Sequence, residues 1–356
     1  MFWRLRDSLP SHVAIGAALV ALVAVDAMVV VTRDGGGQVP HYSPPGVVHH
    51  ANRHTGLLPD VTVESVTSGG GRIWALVDKP SARGDRMFVF QLDPTDYHVT
   101  ATVRIPNPAD RLYYGAGHVW VSGGGDGGSP TVRISAFVPP VGDVVSLRLG
   151  SNAAVDSIAF HGRTGYAAVA GRDEVLALHA GNRLRVERHQ ELGGPTGVVA
   201  VEGAVQVTNA SRNLVPIILR GADTSFLAAV SRVHPVLAAA GKRAVWVRSG
   251  HGLIRVSVTR DGVVTRKHVR TIHRVFDVHT TPAGGCYVSV ANRRNRRTHR
   301  NLLYFSSAAL RAPHPAPTAI HHGREVNSLA LDPAGGVVYV DNTGKLRHWV
   351  PRRSAS

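Results

Sequence analysis

An all-β fold of seven four-stranded sheets around an axis, preceded by one membrane-spanning helix, is what this sequence predicts, on three observations. A turn glycine followed by a strand with an aromatic residue near its start recurs seven times. Beyond the N-terminal segment no apolar stripe of helical period persists. One apolar run near the N-terminus is long enough to cross a bilayer.

That run is residues 12–31, HVAIGAALVALVAVDAMVVV, with Asp26 its one charge. Twenty helical residues rise about 30 Å, the thickness of a bilayer core. Arg4 and Arg6 precede it, so residues 1–11 are expected in the cytoplasm and the remainder outside. A cleaved signal peptide is the competing reading. It would have a shorter apolar region ending at an A-x-A-like site, but the alanines at 14, 17, 18, 21, 24 and 27 never fall two apart. An uncleaved signal anchor fits better. Residues 32–45, TRDGGGQVPHYSPP, read as a Gly/Pro linker, and the folded domain is expected over 46–356.

The seven copies are GRIWALV (71–77), GHVWVSG (117–123), GRTGYAAV (162–169), GAVQVTN (203–209), GKRAVWV (241–247), GGCYVSV (284–290) and GGVVYVDN (335–342). Their marker residues Trp74, Trp120, Tyr166, Gln206, Trp246, Tyr287 and Tyr339 are spaced 46, 46, 40, 40, 41 and 52 residues apart. That period is one four-stranded blade of a β-propeller. The third copy unpacks into strands 157–160, 166–170, 174–179 and 184–187, and the fifth into 236–239, 244–248, 253–258 and 263–268. Runs 88–92, 132–137, 302–305 and 346–350 are further third strands. The last copy lacks an outer strand, because the chain ends soon after Trp349. An open edge invites aggregation, so a strand from within 46–58 is expected to complete it.

VYVDNTG (338–344), VQVTNAS (205–211) and YVSVAN (287–292) resemble the YVTN-type β-propeller repeat, close to the lactonase-like and quinoprotein-like propellers. The resemblance covers roughly 46–353 and its motifs are structural. It implies a seven-bladed propeller and no particular activity, since its members include both enzymes and binding modules. The tail TGKLRHW resembles the end of a quinoprotein repeat but occurs once, and no quinone cofactor is inferred from it.

Composition narrows the chemistry. A single cysteine, Cys286, excludes an internal disulfide and a Cys-based zinc site. The net charge is +16, mostly from arginine, as codon bias in a GC-rich bacterium would produce. A solvated basic surface and attraction to an anionic partner both account for it. Gly123-x-Gly125-x-x-Gly128 matches the dinucleotide fingerprint but sits between two strands, without the helix that binding needs. No G-x-S-x-G, H-E-x-x-H or Walker loop is present.

One constellation stands out. Glu64, Asp110, Asp156 and Asp277 each lie ten residues before their marker, Thr196 holds that offset in the fourth copy, and Asn327 opens the equivalent strand of the seventh after a longer turn. Equal offsets imply equal places at the start of successive innermost strands, near one mouth of the channel. Two readings stand. The side chains brace the turns between blades, or their oxygens share calcium or another divalent cation. A second feature is the run Arg293, Arg294, Arg296, Arg297 and Arg300, which reads as an exposed loop for anionic lipid, cell-wall polymer or an acidic protein. Nucleic acid is not expected outside a membrane. The reading that follows is a non-enzymatic binding or scaffold propeller on the outer face of a bacterial membrane. The runner-up is a metal-assisted, lactonase-like hydrolase or lyase working at the channel mouth.

Overall fold

The computed structural model describes residues 61–79, 86–106, 109–123, 132–150, 153–191, 194–201, 204–209, 214–218, 234–241, 244–249, 252–258, 264–270, 274–291, 301–320 and 325–350. All belong to the unit Tyr42–Ser356. The apolar segment 12–31, the linker, the closing strand expected in 46–58 and the arginines of 293–300 lie outside the described residues. Among the described residues no helix is long and apolar enough to cross a membrane.

The described strands form antiparallel sheets of sequence-consecutive strands. Sheet 1 holds β1 (Thr62–Gly69), β2 (Arg72–Lys79), β3 (Arg86–Leu92) and β4 (Val99–Ile105). Sheet 2 holds β5 (Arg111–Gly115), β6 (His118–Gly123), β7 (Val132–Phe137) and β8 (Val145–Gly150). Sheet 3 holds β9 (Ala154–His161), β10 (Thr164–Ala170), β11 (Glu174–Ala180) and β12 (Leu184–Glu191). Sheet 4 has β13 (Pro195–Val201), β14 (Ala204–Asn209) and β15 (Leu214–Ile218). Sheet 5 has β16 (His234–Gly241), β17 (Ala244–Ser249), β18 (Gly252–Val258) and β19 (Val264–Arg270). Sheet 6 has β20 (Arg274–Thr280), β21 (Cys286–Ala291), β22 (Leu302–Phe305) and β23 (Thr318–Ile320). Sheet 7 has β24 (Val326–Leu331), β25 (Val337–Asp341) and β26 (Leu346–Trp349).

The first strand of each sheet packs against the first strand of the next, and β24 of the last returns to β1 of the first. The innermost strands therefore form a continuous cycle of neighbours. The strands read from the third and fifth copies are present, most of them with wider bounds, and the last of the fifth is shifted from 263–268 to Val264–Arg270. Helix is nearly absent: among the described residues it is one short segment, α1 (Ser307–Arg311), capped where Ser306 Oγ accepts from Ala309 N at 3.0 Å.

Successive side chains on a strand point to opposite faces, and each sheet here is covered on both. From β2, Ile73, Ala75 and Val77 pack with Val338 and Val340 of sheet 7, while Trp74 and Leu76 pack with Leu112, Val119 and Val121 of sheet 2. The same alternation places Trp120 between sheets 2 and 3 and Trp246 between sheets 5 and 6. Two-sided burial explains why the strands read as near-continuous apolar runs rather than alternating ones.

The markers all stand on the second strand of their sheet. Trp74 and Trp120 also tie down the strand before them: their indole Nε1–H groups donate to Gly69 O at 3.3 Å and Gly115 O at 3.0 Å. Gly115 has to be glycine, because a methyl there would lie 2.1 Å from the ring of Phe160, which packs at a tilt against Trp120. One marker is out of phase. Tyr339 faces sheet 6, and its neighbour Val338 takes the place that Trp74 has in sheet 1. The cause is turn length. Sheet 1 turns between its first two strands through Gly70–Gly71, both at positive φ, as tight two-residue hairpins require. Sheet 7 uses the longer turn 332–336, closed by Asp332 N to Gly336 O at 3.2 Å.

Candidate functional site

The acidic positions are the bulged residues of the innermost strands. In β1 Val63 pairs with Val77 and Ser65 with Leu76, so Glu64 is the extra residue. Asp156 is skipped in the same way in β9, Thr196 in β13 and Asn327 in β24. Asp110 stands just ahead of β5, donating its N–H to Ser122 O at 2.9 Å. A bulge leaves its residue unpaired and re-aims the side chain, which is why the offset from the marker repeats. Asp277 departs from the set. The bulge of β20 falls at Phe276, and Asp277 pairs with Ser289 one position further on. The longer turn 281–285, closed by Thr281 N to Gly285 O at 2.8 Å, shifts the count by one.

The position after the bulge joins the sheets. Ser65 Oγ accepts from Leu112 N at 3.1 Å, Ser157 Oγ from Val198 N at 2.8 Å and Ser328 Oγ from Val66 N at 3.0 Å. Each hydroxyl bonds the backbone of the next sheet's innermost strand. Arg111 holds this position in sheet 2 and donates through its guanidinium to Asp156 O in sheet 3. Asp277 holds it in sheet 6.

The electrostatics follow from this placement. Partial burial, then the nearby charges of Asp78 and Asp110, raise the carboxyl pKa of Glu64. Burial also raises that of Asp156, with Arg111 working against it. Burial would raise Asp277 too, but the charge and hydrogen bond of His279, the Val278 N–H and the charge of Arg111 together lower it. His279 Nε2 lies 3.2 Å from Asp277 Oδ2, and Val278 N donates to Oδ1 at 2.8 Å. Burial would lower the imidazole pKa, but Asp277 raises it. The field of Arg111 thus reaches Asp110, Asp156 and Asp277.

Among the described residues no group of three or more His, Cys, Asp or Glu side chains is disposed to hold a metal ion. Glu64 and Asn327 are exposed, Asp277 is displaced by one position, and Arg111 and His279 bring positive charge to the remaining acids. Arg111 and His279 escaped the sequence reading. His279 was findable, since it lies two residues beyond Asp277 on one strand and hence on the same face. The serines were findable as well, because Ser65, Ser157 and Ser328 each directly follow a position of the acidic set.

No family model matches this chain, and no curated protein matches it in sequence. Solved structures do. The WD40 β-propeller domain of Doa1 aligns at a TM-score of 0.58 with 12% identity, covering 83% of this chain and 94% of that one. Streptogramin B lyase aligns at 0.50 with 13% identity, covering 82% and 94%. At such identities the likeness establishes a β-propeller fold and nothing of activity.

Proposed function

We propose that the chain is a seven-bladed β-propeller serving as a binding scaffold, held on the outer face of a bacterial membrane by residues 12–31. Seven blades are supported by the cycle of innermost strands, which returns from β24 to β1. Kinship with the YVTN-type repeat is supported by VYVDNTG, whose strand β25 runs into a turn held by Asp341. The tether rests on the length and flanking charge of the apolar run. The arginines of 293–300, between Ala291 and Asn301, are the proposed contact for an anionic lipid, wall polymer or acidic protein.

The observation that carries the scaffold reading is the use of the polar residues at the innermost strands. Ser65, Ser157, Ser328 and Arg111 are spent on joining sheets. The second reading, a hydrolase or lyase, is favoured by the Asp277–His279 pair, since an imidazole oriented by a carboxylate is a usual general base. A lactone panel with and without calcium, followed by thermal unfolding with calcium or a chelator, separates the two. The scaffold reading expects no turnover above buffer and no calcium-dependent shift in Tm. Turnover lost in Asp277→Asn and His279→Gln would establish the enzyme instead.

A further inference from the structure

The two ends of the cycle meet between sheets 1 and 7, and the contact there differs in kind from the hydrogen bonds described between other sheets. Tyr97, in the hairpin between β3 and β4, projects from sheet 1 onto sheet 7. Its backbone is left-handed, at φ 62°, and the residue is 3% exposed. Its hydroxyl donates to Asp332 Oδ2 at 2.5 Å. The same oxygen lies 2.7 Å from His348 Nε2 of β26, and the Tyr97 and His348 rings pack with centroids 5.1 Å apart. Asp332 Oδ1 accepts from Ala334 N at 2.8 Å, and the carboxylate is fully enclosed. One buried carboxylate therefore gathers a phenol from the first sheet and an imidazole from the last.

Among the described residues, other sheets are also joined by side-chain hydrogen bonds of another form. Ser65, Ser157, Arg111, Arg172, Arg248 and Lys267 cross to a neighbouring sheet through bonds that end on backbone groups. None of those donors or acceptors changes charge in weak acid. Around Asp332 the titratable groups are Tyr97 from sheet 1, His348 from its own sheet and Tyr287 from sheet 6. The hydroxyl contact of Ser65 with Ser328 and the bond from Val63 N to Gly344 O, at 2.9 Å, complete the seam.

We propose that Tyr97, Asp332 and His348 form a clasp that closes the propeller between its first and last sheets and that lets go in acid, so that the ring opens at this seam first. Protonating Asp332 turns the oxygen shared by Tyr97 and His348 into part of a neutral acid in a closed site, and two charge-assisted bonds are lost together. Burial opposes ionisation of Asp332, but the bonds from His348, Tyr97 and the Ala334 N–H lower its pKa below the usual carboxylate range. With a lowered folded-state value, the stabilisation is present at neutral pH and is lost as pH falls through that value. Asp341, the other buried carboxylate of sheet 7, bonds Arg347, Thr343 and Lys345 within its own hairpin and does not cross the seam.

Hydrogen exchange on the full chain in detergent, at pH 7 and in steps down to acid, tests the clasp. Amides of β3, β4 and β24–β26 are expected to lose protection at a higher pH than those of sheet 3. In Asp332→Asn they are expected to lose it already at pH 7, by about tenfold or more, with little further change in acid. Asp341→Asn is the control, expected to leave β3 and β4 protected. Uniform loss of protection across all sheets would overturn the proposal, as would seam opening in Asp332→Asn that keeps the wild-type pH dependence. Tyr97→Phe, which keeps the ring, decides the matter if Asp332→Asn does not fold. It is expected to weaken protection in the same two sheets, and unchanged exchange there would refute the clasp.

Discussion

His279 and Asp277 show how much one strand position decides. In the sheets where a serine follows the bulge, a neutral hydroxyl bonds a neighbouring amide. In sheet 6 that place holds a carboxylate, and two residues on, across one strand period, stands the imidazole that pairs with it. Both side chains are more than a third exposed, so the pair is better read through its titration than as an amount of stability. The imidazole value is raised above 6.5, so its contribution is full below that pH and is lost as pH rises through the raised value. The carboxyl value is lowered below 3.8, so its contribution is present above that pH and is lost as pH falls. The pair is intact between the two. Proton NMR of the His279 ring is expected to give a midpoint above 6.5, dropping below it in Asp277→Asn, where burial acts without the opposing carboxylate. Equal midpoints in the two proteins would mean the contact does not form in solution. The acid was visible in the sequence through its offset from the marker, but its true place was not, because a turn three residues longer than those of sheets 1 and 2 moves the register.

The innermost strand with its bulge is the element that repeats. The bulge turns one residue out of the ladder, and the next reaches the backbone of the adjacent sheet. Removing that hydroxyl strands a backbone N–H inside the protein, which costs about 1–3 kcal/mol. Ser65→Ala is expected to fall at the upper end, because Ser65 and the Leu112 N–H are buried, with Ser157→Ala and Ser328→Ala below it. Urea unfolding midpoints measure the order. Losses under about 0.5 kcal/mol for all three, the range of surface changes, would deny the hydroxyls a joining role. Strand positions were legible in the sequence because apolar β-branched runs end at glycine, and the second strands were the clearest, with Trp74, Trp120 and Trp246 buried in them. Bulges were harder to see. A skipped residue breaks the alternation of its own strand, so that Val63 and Val66, or Val155 and Ile158, fall on one face three residues apart, and in strands buried on both sides that break does not stand out. The marker Tyr339 shows the same limit, since its face is set by the turn before it rather than by its own neighbours.

At the scale of the molecule, stability and closure come from neighbours alone. Each described core is shared by two adjacent sheets, so no sheet buries its faces without the next. A chain built this way has to bring its ends together, and residues more than two hundred and fifty apart in sequence do so where sheet 1 meets sheet 7. The basic surface and the N-terminal apolar run belong to this scale too, as the proposed means of placing the ring against a membrane and an anionic partner. All of this depends on the ring closing in solution. The hydroxyls of Ser65 and Ser328 lie 3.4 Å apart across the seam, 263 residues apart in the chain. Cysteines at both positions, in a chain whose buried Cys286 is replaced by alanine, report closure directly by mass spectrometry after mild oxidation. The account predicts one intramolecular disulfide in nearly every molecule. Free thiols throughout, or disulfides only between molecules, would contradict a ring closed between its first and last sheets.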